Sequence, residues 1–83
     1  MGSEKKIDEV ITQLSNLKED ASVPRNVKNS IDRIIATLQA KTELSIRKSR
    51  VLGELDEISD DVNLESYIRI QILNIVSLLE KLD

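Results

Sequence analysis

The sequence predicts an all-α protein, an antiparallel up-and-down four-helix bundle made of two similar hairpins. Three observations carry that prediction. One proline and two glycines punctuate 83 residues, so long helices are the default. Apolar residues recur at helical spacing through four segments, and no stretch alternates convincingly with period two. Residues 10–41 and 51–82 form two copies of one pattern, in register without a gap at an offset of 41.

The first helix starts near Ser3, a natural N-cap, with Glu4 favourably placed against the positive end of the helix dipole. Its apolar stripe is Ile7, Val10, Ile11, Leu14, Leu17 and Ala21. The second helix begins at Val23-Pro24, because proline is tolerated in a first turn where its missing N–H has no partner. Its stripe is Val27, Ile31, Ile34, Ile35 and Leu38. Thr42 caps the third helix, whose stripe is Leu44, Val51, Leu52, Leu55 and Ile58. Asn63 caps the fourth, with a core stripe of Ile68, Ile72, Ile75, Val76 and Leu79. Connections of a few residues force neighbouring helices to run antiparallel. The chain therefore divides into one hairpin over about 4–40 and a second over about 43–82, within a single domain.

Identities across the copies fall at Val10/Val51, Leu14/Leu55, Asp20/Asp61, Ile31/Ile72, Ile34/Ile75 and Leu38/Leu79. Helical period alone generates the apolar matches. It explains the turn less well, where acid, acid, an apolar residue and a cap follow in the same order twice. A duplicated hairpin can also stack as a short HEAT-like solenoid, whose repeats run about 40–47 residues. Two such repeats leave both ends of the stack uncovered, whereas a closed bundle buries all four stripes in one chain. The bundle is the preferred reading.

Composition excludes several chemistries. Cysteine and histidine are absent, so disulfides, Cys/His zinc sites and His- or Cys-dependent triads cannot form. No cofactor, small-molecule substrate or enzymatic activity is expected. A net charge of −3 argues against a general nucleic-acid binder. No apolar run approaches bilayer length, the N-terminus lacks a signal-peptide stretch, and Lys6 stands where a myristoylation motif wants Ser or Thr. A cytoplasmic protein is expected.

Four features carry candidate function. The acidic run Glu54, Asp56, Glu57, Asp60 and Asp61 contains (i, i+4) carboxylate pairs that suit a hard cation, but no EF-hand loop accompanies them. A solvated edge is the better reading. Arg25, Lys28, Arg47, Lys48 and Arg50 are the candidate phosphate contacts of a nucleic-acid- or ribosome-associated protein, without interleaved aromatics to stack on bases. Lys48 replaces Ile7 of the first copy, so its stem is expected along apolar surface with its amine in water. Gly53 inside the third helix costs about 1 kcal/mol, and a close helix crossing would explain it.

The fourth helix is the most suggestive. It is apolar nearly all round, which marks a central or covered helix. Two neighbours in a bundle account for Leu73 and Leu82. Tyr67, Ile70, Asn74 and Leu78 remain as a candidate surface for a homo-oligomer or protein partner. A non-enzymatic interaction module is the leading functional expectation.

Glu4–Asn26, "EKKIDEVITQLSNLKEDASVPRN", and Leu55–Asn63, "LDEISDDVN", resemble the small archaeal proteins grouped as uncharacterised protein family 0147. The resemblance covers nearly the whole chain. It implies an all-helical bundle, a cytoplasmic archaeal protein and no established activity. Leu64-Glu65 departs from the Met-Pro pair expected there, which leaves the start of the fourth helix less firmly placed.

Overall fold

The computed structural model describes residues 2–82. Four helices follow one another: α1 (Gly2–Lys18), α2 (Arg25–Gln39), α3 (Leu44–Ser59) and α4 (Ser66–Glu80). Each packs closely against two others, in the ring α1–α2, α2–α3, α3–α4 and α4–α1, and the diagonal pairs make no close backbone approach among the described residues. The α4–α1 seam decides between the two architectures. A HEAT-like stack would lay α1 on α3 and α2 on α4; the chain instead closes into a four-helix bundle of 36 × 19 × 17 Å.

The core follows the repeat. Buried apolar residues fall in matched pairs: Val10/Val51, Leu14/Leu55, Leu17/Ile58, Val23/Leu64, Val27/Ile68, Ile31/Ile72, Ile34/Ile75 and Leu38/Leu79. Ile7 and Leu82 complete the core without buried counterparts, because their equivalents are Lys48 and Lys41. No polar or charged residue is buried among the described residues. Ile11, Ile35, Leu44, Leu52 and Val76 pack half-buried against the same cluster, as their stripes require.

The duplication extends to backbone hydrogen bonds. In the first hairpin Asp20 N–H donates to Leu17 O (3.1 Å), Val23 N–H to Asp20 O (3.1 Å) and Lys28 N–H to Pro24 O (3.0 Å). In the second, Asp61 N–H donates to Ile58 O (3.1 Å), Leu64 N–H to Asp61 O (3.2 Å) and Arg69 N–H to Glu65 O (3.1 Å). The shared aspartate explains the matched turns. Asp20 Oδ1 accepts from the Ser22 N–H at 2.8 Å, and Asp61 Oδ1 from the Asn63 N–H at 2.9 Å. These are Asx turns, in which a short carboxylate replaces a backbone acceptor.

That geometry corrects the expected helix starts. α4 is capped by Glu65 rather than Asn63, because Asn63 and Leu64 spend their N–H groups closing the turn. α3 is capped by Glu43 rather than Thr42. Pro24, Glu43 and Glu65 all sit in extended backbone, and none forms a side-chain cap bond. Glu65 (φ −62, ψ 144) adopts nearly the conformation of Pro24 (φ −61, ψ 154), so α4 starts as α2 does without proline. α1 runs from Gly2, which places Ser3 inside the helix rather than at its cap; the side chains of Ser3 and Glu4 lie outside the described residues. Ala21 is exposed in the turn beyond α1 and leaves the core stripe.

Gly53 also departs from expectation. It faces solvent, and an added Cβ would meet nothing within 4 Å, so no close helix crossing requires it. Gly53→Ala is expected to stabilise the fold by about 1 kcal/mol, raising Tm by roughly 4–8 °C. Thermal denaturation checks this; an unchanged or lower Tm contradicts it.

Candidate functional site

α4 buries Ile68, Ile72, Ile75 and Leu79, one stripe shared between its two neighbours. The opposite side faces outward. Ile70 is 58% exposed, Leu73 53% and Tyr67 44%, with Asn74 exposed beside them. Leu78, expected on this face, is half-buried and packs against the core. Leu73 takes its place, although two bundle neighbours were expected to cover it. The signal for Leu73 lies in the repeat: its counterpart Asp32 is exposed and pairs with Lys18 at 2.6 Å, so the position is not a core position.

Outward positions of α4 carry no charge from its start to Ser77: Ser66, Tyr67, Ile70, Gln71, Leu73, Asn74 and Ser77. The equivalent positions of α2 include Arg25, Asp32 and Arg33. The same contrast holds in the grooves beside these helices. The α4–α1 groove, about 400 Å³, is lined by Gln13, Asn16, Gln71 and Asn74, with Leu17 and Ile75 as its apolar floor. Asp20 closes one end, and both its carboxylate oxygens accept from the Tyr67 hydroxyl at 3.1 Å. The α2–α3 groove, about 220 Å³, carries Glu54, Glu57, Ser30 and Arg33 at the equivalent places. Glu54 Oε2 is buried there without a hydrogen-bond partner. Two lateral faces related by the internal duplication thus differ in chemistry, one carrying a single carboxylate, Asp20, among neutral residues, the other carrying Arg33, Glu54, Glu57 and Asp61.

Comparison with known proteins places the whole chain. The model of uncharacterised protein family UPF0147 matches residues 1–82. The chain belongs to family UPF0147. A UPF0147 protein of Sulfurisphaera tokodaii is 38% identical over 79 residues, 94% of this chain and 89% of that protein. One from Metallosphaera sedula is 39% identical over 79 residues, with the same coverage of each chain. A crystal structure of a UPF0147 protein from Thermoplasma acidophilum superposes with a TM-score of 0.90 at 33% identity, covering 98% of this chain and 96% of that one. These relatives are archaeal, and the family is uncharacterised, with its function unknown.

In this UPF0147 protein the five candidate phosphate contacts do not form one surface. Arg25 and Lys28 lie at the start of α2, whereas Arg47, Lys48 and Arg50 lie at the start of α3, at the other end of the bundle. Along the bundle axis Arg25 and Arg47 are roughly 20 Å apart, and Lys28 and Arg50, nearer mid-helix, roughly 10 Å. Two of the five are occupied. Arg47 Nη1 donates to Leu38 O at 2.8 Å, and Lys48 Nζ to Leu82 O at 2.9 Å and Glu80 O at 3.3 Å. Arg69, which sequence reasoning did not single out, donates to Ser59 O (3.0 Å) and Asp61 O (2.8 Å). The C-terminal ends of α2, α3 and α4 therefore each receive a cation. Terminal carbonyls lack helical partners and carry the negative end of the dipole, so a cation there satisfies acceptors and opposes partial charge. Lys48 does lie along the bundle as its stem requires, but its amine binds carbonyls rather than water alone.

The acidic run does not converge either. Among the described residues no group of three or more Asp or Glu side chains is placed to hold a metal ion. No described helix is long and apolar enough to cross a membrane.

Arg47→Ala and Lys48→Ala are each expected to cost about 1 kcal/mol, since each removes charge-assisted bonds to helix-end carbonyls. Arg50→Ala, which removes none of these bonds, is expected to stay within about 0.5 kcal/mol of the parent. Urea denaturation of the three variants checks the ranking, and equal stabilities contradict it.

Proposed function

We propose that this UPF0147 protein is a non-enzymatic protein-interaction module of the cytoplasm. Its working surface is the outer face of α4 with the adjoining edge of α1. One observation carries the reading: Ile70 and Leu73 are exposed on a face free of charge, in a chain that is 33% charged. Interface cores are depleted in charged residues and enriched in aromatic and apolar ones, and Tyr67 borders this one. Exposed apolar residues scattered singly need no explanation. Two on one uncharged helix face, three residues apart, form a patch, and patches mark interaction sites.

The non-enzymatic part is supported by chemistry. Without histidine or cysteine, proton transfer and nucleophilic attack near neutral pH fall to carboxylates, lysines and hydroxyls. The cytoplasmic part is supported by the missing cysteines, which suit a reducing compartment. A nucleic-acid role is less favoured, because Arg47 and Lys48 are engaged at helix ends and Arg25 and Lys28 stand apart from Arg50.

Capture from native extract tests the surface. The wild-type protein is expected to retain bound polypeptide, its own copies included, that an Ile70→Glu/Leu73→Glu variant loses. Both positions are exposed, so the variant is expected to keep its fold, which circular dichroism checks. Equal retention by the two proteins overturns the assignment of this face.

A further inference from the structure

We draw no further inference here: the strongest candidate, the α2–α3 groove in which half-buried Glu54 stands with its Oε2 unpartnered beside Glu57, Asp61 and Arg33, is a row of acidic side chains with no second feature among the described residues that points to a ligand, and nothing in the structure shows what covers it.

Discussion

Closure of α1 onto α4 is the contact on which the rest of the molecule depends. Each hairpin carries an apolar stripe on both of its helices, and two helices alone cannot cover both stripes. The α2–α3 and α4–α1 seams bring the hairpins face to face, so that Leu14, Ile34, Leu55 and Ile75 all become inaccessible in one cluster. Open that seam and the four helices become an open row, with the stripes of α1 and α4 no longer covering one another. Because every buried residue among those described is apolar, the core is held by burial and packing. Polar groups act only at the ends and on the outside, and they determine how the helices terminate and what the surface presents.

At the ends, two devices share the work. The turn aspartates Asp20 and Asp61 absorb backbone donors as the chain leaves α1 and α3. Cations from a neighbouring helix satisfy backbone acceptors, Arg47 at the end of α2, Arg69 at the end of α3 and Lys48 at the end of α4. Lys48 shows why the repeat is imperfect. Its counterpart Ile7 is a core residue, while Lys48 runs along the bundle to the carbonyls at the end of α4. One position in the pattern thus serves packing in one copy and helix termination in the other.

Helix number, helix type, nearly all of the core and the preference for a closed bundle were legible in the sequence, because burial imposes a period that residues such as Val10, Leu14 and Leu17 display directly. Caps were less legible. Whether Asn63 or Glu65 starts α4 depends on which N–H groups the turn consumes, and propensity alone does not say. The exposed face was half legible. Tyr67, Ile70 and Asn74 stand where the helical wheel puts them. Leu78 and Leu73 exchange roles, because the width of a buried stripe depends on how far apart the two neighbouring helices sit. The repeat held the missing information in the Leu73/Asp32 mismatch. Gly53 was misread, since a glycine in a helix signals a close approach only when something lies opposite it.

The α4–α1 seam has a kinetic character that the other three lack. Neighbouring helices along the chain meet across connections of a few residues, so each hairpin and the link between them form through local contacts. Tyr67 and Asp20, which bridge the last seam, are separated by 47 residues. Loop-closure entropy grows with the logarithm of chain length, adding roughly 2 kcal/mol over a connection of a few residues. The ring therefore has a clasp, the seam whose closure costs the most chain entropy. The Ile70–Leu73 face lies beside that clasp, so a partner spanning α4 and α1 would also hold the ring closed.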